Sequence, residues 1–225
     1  MKTLLMKAWL PTLLLAVAFL LAACGRAGGG QQGDESGGHG QMDHGSMDHG
    51  QMGHGSMGMG SKSTAKQMVM QNGNYSDRHF IDAMVPHHQG AIAMAKVALN
   101  HAEHEEIEEL SHNIISNQQA EIEELKSIKK EEFGTSQVPM EMSQEQMRDM
   151  GMMMNPQELA DKEPFDKAFI DTMVPHHQSA IYMAQVANEK SSDPHIKDLA
   201  ENIISDQQEE IEQMKQWRQQ WYPEG

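Results

Sequence analysis

The chain has one cysteine, few aromatic residues and few basic ones. Its 225 residues include one Cys, five Phe, three Tyr and three Trp. A disulfide within the chain is therefore excluded. The 17 Lys and Arg stand against 33 Asp and Glu, a formal charge of −16, which argues against binding to nucleic acid or, through the surface, to anionic lipid. Methionine, with 21 residues, is the unusually abundant type.

The first 23 residues have the pattern of a bacterial lipoprotein signal peptide. Lys2 and Lys7 precede an apolar run at 8–20, and the small-residue sequence LAAC ends at Cys24. This run is too short to span a bilayer as a helix. We expect cleavage before Cys24, acylation of that cysteine, and a mature protein anchored in the cell envelope on the periplasmic or other extracytoplasmic side. An uncleaved N-terminal anchor is the alternative. After cleavage, any metal ligands would be imidazole, thioether or carboxylate groups.

Residues 24–75 are predicted to be a disordered tether rich in glycine, histidine and methionine. Methionine is almost the sole apolar type at 28–60, and such a segment cannot bury enough surface to fold alone. A five-residue repeat places imidazoles and thioethers at His39, Met42, His44, Met47, His49, Met52, His54, Met57 and Met59. Thioethers favour Cu(I), and imidazole suits copper and zinc. The tract is therefore predicted to bind copper, with silver or zinc as other candidates, and a plain spacer is the alternative.

One segment of the chain occurs twice, 89 residues apart. The sequence MVPHHQ begins at Met84 and again at Met173, and the register of the repeat extends without a gap on both sides. Apolar residues recur at helical spacing in each copy, which predicts helical hairpins at 76–133 and 165–222. The Met-rich connection at 134–164 is long enough to cross the length of a helix. We therefore predict an all-α, ferritin-like four-helix bundle made of the two hairpins.

Polar side chains fall on the apolar stripes of these helices at matching heights. At 100° per residue, His88 lies near the middle of its stripe and His87 at one edge, while Gln118 and Glu121 lie inside the stripe of the partner helix. The second hairpin repeats this arrangement at His176, His177, Gln207 and Glu210. Pairing of the hairpins would gather all eight in one inner layer. Their burial is costly unless they satisfy one another or a metal, so a hydrogen-bonded layer and a metal site are both consistent with the pattern.

A ferritin-like metal oxidase is the alternative from another class of function. A di-iron site of that type needs about four inward carboxylates and a Glu-x-x-His pair on each of two helices. The predicted layer contains only Glu121 and Glu210, and Glu109-x-x-His112 has no matching histidine in the second hairpin. The sequence therefore favours a binding protein over an enzyme.

The repeated segment resembles a bacterial family of domains of unknown function. The resemblance covers residues 76–222 and is carried by MVPHHQGAIAMA…IISNQQAEIEEL and MVPHHQSAIYMA…IISDQQEEIEQM. Members of that family are secreted or envelope proteins with a ferritin-like four-helix bundle and paired M-[IV]-x-H-H-Q motifs, and some are copper-binding, copper-resistance proteins. The resemblance implies copper sites at Met84, His87, His88, Met94, Met173, His176, His177 and Met183. The methionines of the connection are further candidates.

The tract and the repeated motif lead to one expectation. It is a lipid-anchored envelope protein that binds copper, with Cu(I) favoured, and either sequesters the ion or hands it to a copper-transfer protein. A structural envelope module with a hydrogen-bonded His, Gln and Glu layer is a further alternative.

Overall fold

A computed structural model of the protein describes residues 57–139, 142–153 and 155–224. Its four long helices are α2 Asp77–His101, α3 Glu105–Phe133, α5 Phe165–Lys190 and α6 Pro194–Trp221. They are preceded by α1 Met57–Met68 and by a small antiparallel hairpin of β1 Met70–Gln71 and β2 Asn74–Tyr75. The connection carries α4 Gln144–Asp149 and a 3₁₀ helix, Pro156–Asp161. None of the described helices is both long and apolar enough to cross a bilayer.

The four long helices form two hairpins with short turns. Residues 102–104 join α2 to α3, and residues 191–193 join α5 to α6. Both α2 and α5 continue as helices through their internal prolines, Pro86 and Pro175. The predicted all-α bundle of two repeated hairpins with a long connection is confirmed.

The hydrophobic core divides into two apolar clusters at opposite ends of the bundle. The first contains Phe80, near the start of α2, and Ala187, near the end of α5. The second contains Val97, near the end of α2, and Phe169, near the start of α5. The helices α2 and α5 therefore run antiparallel. The four histidines of the repeated motif lie between these ends on both helices and belong to neither cluster.

The prediction of a disordered tether up to residue 75 is wrong for residues 57–75. Helix α1 packs against α5, and Ala65 and Val69 are completely buried in the first apolar cluster. The last part of the segment therefore has enough apolar surface to fold onto the bundle, although the composition of 24–75 as a whole is that of a disordered chain. Residues 24–56 lie outside the described part of the chain.

Equivalent ion pairs hold each hairpin closed. In the first hairpin, the fully buried Lys129 pairs with Asp82 and also donates to the carbonyl oxygen of Gln137, in the connection. In the second, Arg218 Nε donates to Asp171 Oδ1 at 2.8 Å. Lys129 and Arg218 are 89 residues apart, as are Asp82 and Asp171. The sequence repeat is thus also a repeat of contacts.

A buried carboxylate joins the two hairpins. Asp166, in the first turn of α5, accepts the backbone N–H groups of Glu103 and His104 at 3.0 and 2.9 Å, and its Oδ2 lies 2.7 Å from His104 Nδ1. In return, Glu103 Oε1 accepts the N–H of Phe165 at 3.2 Å. The His104 ring stacks on Trp221 with centroids 3.8 Å apart. These contacts fix the turn of the first hairpin against the start of the second, and hence the register of α5 against α2.

Substitution of Asp166 by Ala should lower the free energy of unfolding by about 3 kcal/mol, because two backbone donors lose a charged, buried acceptor. Urea denaturation measures this loss. The control is Asp77→Ala at the equivalent position of the first hairpin, where Asp77 Oδ1 has no hydrogen-bond partner among the described residues. We expect a smaller loss there, and equal losses would contradict the role given to Asp166.

Candidate metal centre

Two imidazoles stack at the middle of the bundle. The rings of His87 on α2 and His176 on α5 have centroids 3.8 Å apart and planes inclined by 36°. Both side chains are buried, at 0% and 1% exposure. They occupy equivalent positions in the two repeats, so the antiparallel packing of α2 on α5 brings them together. Two charged rings at this distance would repel each other strongly in a medium of low polarity.

Burial keeps these two imidazoles neutral. The pKa of both His87 and His176 lies well below the ordinary value of 6.5, chiefly because the imidazolium form loses its hydration. Repulsion from neighbouring histidines lowers both pKa values further. The carbonyl oxygen of Met150 acts in the opposite direction on the pKa of His87, and that of His87 does so on the pKa of His176. A neutral imidazole has a nitrogen lone pair, which is the form that binds a metal.

The outer imidazoles are paired with carboxylates. His177 Nε2 is hydrogen-bonded to Glu210 Oε2 at 2.6 Å. His88 Nε2 lies 2.9 Å from Glu121 Oε2, although its N–H is not well aligned for a hydrogen bond. Both carboxylates are at 12% exposure, as expected for residues on the inner faces of α3 and α6. Each outer imidazole thus uses Nε2 for its carboxylate and keeps Nδ1 without a partner among the described residues.

The two glutamines of the layer are buried but not satisfied. Gln118 and Gln207 are both at 3% exposure. Among the described residues, neither the amide nitrogen nor the amide oxygen of Gln118 has a partner, and the same holds for the oxygen of Gln207. The Nδ1 atoms of all four motif histidines are in the same condition. Buried polar atoms normally have a partner, an ordered water or an ion, so these atoms of the layer are unsatisfied by the described residues.

The two inner imidazoles have different neighbours, although the repeat is closely kept around them. His87 Nε2 lies 2.7 Å from Ser179 Oγ, and this hydroxyl lies 2.8 Å from the carbonyl oxygens of both Met150 and His176. The residue equivalent to Ser179 in the first repeat is Gly90. His176 has no such hydroxyl, and neither of its ring nitrogens makes a well-aligned hydrogen bond in the described part of the chain, although the carbonyl oxygen of His87 lies close enough to oppose the fall in its pKa.

A methionine of the connection lies beside His176. A Cβ atom placed on Gly90 would be 3.4 Å from His176 Nε2 and 3.6 Å from Met152 Cε, so these two groups converge on one point next to α2. Gly151 has a φ of +69°, and a Cβ atom there would be 2.8 Å from the backbone nitrogen of His176. Only glycine allows so close an approach at that φ, and it brings the neighbouring Met152 to the imidazole. The sequence did not single out Ser179 or Gly151, and Met152 was included only among the methionines of the connection as a further candidate ligand.

The four predicted methionine ligands lie in the apolar clusters on either side of the histidines. Met84 and Met183 belong to the first cluster, and Met94 and Met173 to the second. All four are buried, with at most 1% exposure. Their assignment as metal ligands stays a prediction.

The remaining predicted sites lie outside the part of the chain whose side chains are described. This holds for Cys24 and for the tract from His39 to Met59, of which Met57 and Met59 lie in α1.

The donor types present suit a soft ion. In the described part of the chain, no three His, Asp or Glu side chains are grouped as a metal site. The centre instead combines neutral imidazoles that lack partners with the thioether of Met152 beside His176. Imidazole and thioether together favour Cu(I) over hard divalent ions, which prefer carboxylate and carbonyl oxygens. The residues therefore fit copper or silver better than calcium or magnesium.

The fold and the buried histidine layer define an all-α bundle protein with a polar centre. The sequence model of the family described as "Domain of unknown function (DUF305)" matches residues 26–129 and 125–218, and the chain belongs to this family. The first match includes the tract at 39–59, which we expected to lie outside the family domain.

Several known proteins are similar to this chain. CopM in the Cu(I)-bound form is 39% identical with a TM-score of 0.59, and CopM in the Cu(II)-bound form is 41% identical with a TM-score of 0.61. Each comparison covers 66% of this chain and 99% of the CopM chain. CopM is also known in an Ag-bound form, 38% identical over 66% of this chain and 98% of that one, with a TM-score of 0.57.

Two further proteins are less similar to this chain and say less about its function. A DUF305 fragment from Deinococcus radiodurans is 24% identical, covers 62% of this chain and 92% of its own, and with a TM-score of 0.57 shows the shared fold alone. Uncharacterized protein L153 of Acanthamoeba polyphaga mimivirus is 45% identical over 49 residues, which are 22% of this chain and 32% of that protein. The chain thus matches about a third of the length of this relative.

The metal-free protein should lose stability as the pH falls below about 6.5. The folded protein holds the pKa of His87 and His176 well below that value, whereas the same residues in the unfolded chain take up protons near 6.5. Below about pH 6.5 the unfolded state therefore binds more protons than the folded state. The free energy of unfolding has its full value above about pH 6.5 and decreases as the pH falls towards the pKa values of the folded protein. Denaturation between about pH 7.5 and about pH 5 measures this slope. The double variant His87→Gln/His176→Gln should have a flatter profile, and an unchanged slope would contradict the assignment.

Proposed function

We propose that this protein binds copper in the cell envelope, with Cu(I) as the preferred state, and that it sequesters the ion or passes it to a copper-transfer protein. The observation that carries the proposal is the group of buried, neutral imidazoles at the centre of the bundle. The Nδ1 atom of each ring lacks a partner among the described residues, burial holds the inner two rings neutral, and a thioether lies beside one of these.

The pairing of the outer histidines supports a metal-binding role. Histidines that bind metals usually donate their second N–H to a carboxylate, which fixes the tautomer and orients the ring. Glu121 and Glu210 are placed to do this for His88 and His177, through Nε2 in each case. The Nδ1 atom of each outer ring then has the lone pair that a metal requires. We propose Gln118 and Gln207 as further neighbours of the bound ion.

The comparisons support copper as the metal. CopM has been solved with Cu(I), with Cu(II) and with Ag, and it shares about two fifths of its residues with this chain over almost its whole length. Silver has the soft character of Cu(I) and the same preference for thioether sulfur. Cu(I) is favoured here because the donors near His176 are neutral and include a thioether.

The His and Met tract supplies a second set of soft donors. Its repeat has a histidine and a methionine in every five residues from His39 to Met57, followed by Met59. A glycine-rich segment can wrap an ion but offers little geometric selectivity. We therefore propose that the tract collects copper and that the bundle holds it more selectively, with Met84, Met94, Met173 and Met183 as additional candidate ligands.

Metal analysis of the mature protein tests this function. Protein purified from copper-loaded cells should contain copper. Deletion of residues 39–59 should lower the amount, and replacement of all four motif histidines by Leu should remove the fraction that resists a Cu(I) chelator, because the bundle then lacks imidazole donors. The control is His101→Ala/His112→Ala, which removes two exposed imidazoles. Far-UV circular dichroism verifies that each variant is helical.

Each of the other outcomes of this metal analysis would indicate a different function or a different site. An intact protein without copper would contradict the proposed function and leave a structural envelope module. A pair of bound iron ions together with oxygen consumption would favour the metal oxidase. Unchanged copper in the four-histidine variant would move the site to the methionines or to the tract.

We also propose that Cys24 carries a lipid anchor, because the signal-like segment ends at this residue and the chain has no other cysteine. The variant Cys24→Ser should move the protein from the membrane fraction to the soluble fraction, as followed by immunoblotting of separated fractions. A variant that stays with the membrane would indicate an uncleaved N-terminal anchor.

A further inference from the structure

We infer that the two halves of the bundle are not equivalent and that Cu(I) binds on one side only, between His176 on α5 and Met152 in the connection. This inference rests on the proposed copper function and adds to it the position of the site. It follows from one difference between the repeats and from the course of the connection.

Ser179 occupies the coordinating nitrogen of His87. The hydroxyl has one proton, and it lies 2.8 Å from two carbonyl oxygens, of Met150 and of His176, which can only accept. The hydroxyl therefore donates to one of them and accepts the Nε2–H of His87 at 2.7 Å. His87 Nε2 then has a proton and cannot bind a metal without breaking this bond, so only Nδ1 of His87 keeps a lone pair, on the side of the ring away from Ser179.

Gly90 leaves the equivalent nitrogen of His176 open. The two residues Gly90 and Ser179 are 89 positions apart, in otherwise identical stretches of MVPHHQ followed by this residue and Ala. His176 is at 1% exposure, and neither of its ring nitrogens makes a well-aligned hydrogen bond in the described part of the chain. The space that a side chain at residue 90 would take lies next to His176 Nε2, at 3.4 Å from a Cβ atom.

The thioether of Met152 is directed to the same space. Its Cε, one bond from the sulfur, is 3.6 Å from the point where a Cβ of Gly90 would lie. The contact of Gly151 with the backbone of His176 fixes this part of the connection against α5. One imidazole nitrogen and the methyl end of one thioether thus line the same small gap, where a bond rotation of Met152 presents its sulfur; imidazole and thioether are the neutral, soft donors that Cu(I) prefers.

The surface cavities beside Pro175 and Pro86 also differ, and the difference favours the side of His176 and Met152. A cavity of about 360 Å³ beside Pro175 is lined by, among others, Arg148, Gly151, Met152, Met153 and Asp171. The cavity beside Pro86 has a volume of about 600 Å³, and among the described residues its lining includes Arg78 and Lys126 but no methionine. A soft cation therefore meets the thioether of Met152 on the Pro175 side, which favours approach from that side.

Exchange of the two residues between the repeats tests the inference in the full mature chain. Gly90→Ser should place a hydroxyl against His176 Nε2 and weaken Cu(I) binding by the bundle by roughly 10- to 100-fold. Ser179→Gly, the reciprocal change, should leave that binding intact. Met152→Leu should weaken it, whereas Met214→Leu, at a buried methionine of the second apolar cluster on α6, is the matched control. Chelator competition measures the affinity, and far-UV circular dichroism verifies the helical fold of each variant.

Imidazole ¹⁵N NMR of the full chain with labelled histidine identifies the nitrogen that binds, and it separates the bundle from the tract. Addition of Cu(I) should shift the His176 Nε2 signal and leave His87 Nε2 protonated. Equal shifts of both signals would overturn the inference, as would a Gly90→Ser variant that binds Cu(I) like the wild type, and in both cases the proposed copper function would stand. A wild-type bundle with no Cu(I)-dependent shift in any motif histidine would contradict the proposed site in the bundle itself.

Discussion

The stacking of two neutral imidazoles inside an apolar bundle is the constraint on which the rest of the structure depends. Rings 3.8 Å apart require that α2 and α5 keep one register, because a shift by one turn would bury each imidazole against aliphatic side chains. The apolar clusters at both ends of the bundle supply the driving force for association, but apolar contacts are non-directional and do not select a register. Two directional contacts do so: Asp166, in the first turn of α5, accepts the backbone N–H groups of Glu103 and His104, and Ser179 on α5 contacts His87 on α2.

The duplicated sequence produces duplicated contacts wherever a hairpin contacts only itself. The pairs of Asp82 with Lys129 and of Asp171 with Arg218 illustrate this, as do the two histidine–carboxylate pairs. The single connection meets the two equivalent places differently: residues 135–139 line the cavity beside Pro86 on α2, whereas Gly151 lies against the backbone of His176 on α5. The repeat also departs from identity there, with Ser179 opposite Gly90. The asymmetry of the centre therefore arises from a symmetric pair of hairpins and one unpaired segment.

Much of this structure could be predicted from the sequence, and the features that could not be predicted depend on contacts between distant parts of the chain. The hairpins follow from helical spacing, and the nearly equal distances of His88 and Gln118 from their turn place them at one height. In contrast, the approach of Gly151 to α5 depends on how an aperiodic connection crosses the bundle, which no local pattern determines. The ordering of residues 57–75 depends on burial of Ala65 and Val69 by α5, a surface that the segment itself does not encode. The Gly90–Ser179 difference was visible in the sequence, but its meaning required the distances.

The charges around the layer explain how a buried neutral site could hold a cation under the proposed copper function. A metal ion transferred from water into an apolar interior needs compensating charge nearby, and the donors at His176 and Met152 supply none. Glu121 and Glu210 lie one imidazole further out, at 12% exposure. The negative potential of this region is visible at Asp206, whose pKa is raised by burial and by the carboxylates of Glu121, Glu210 and Glu209. Neutral soft donors then select the ion, while the carboxylates behind the imidazoles stabilise its charge. This arrangement favours a singly charged soft cation. A hard divalent cation would require oxygen ligands in direct contact with the metal.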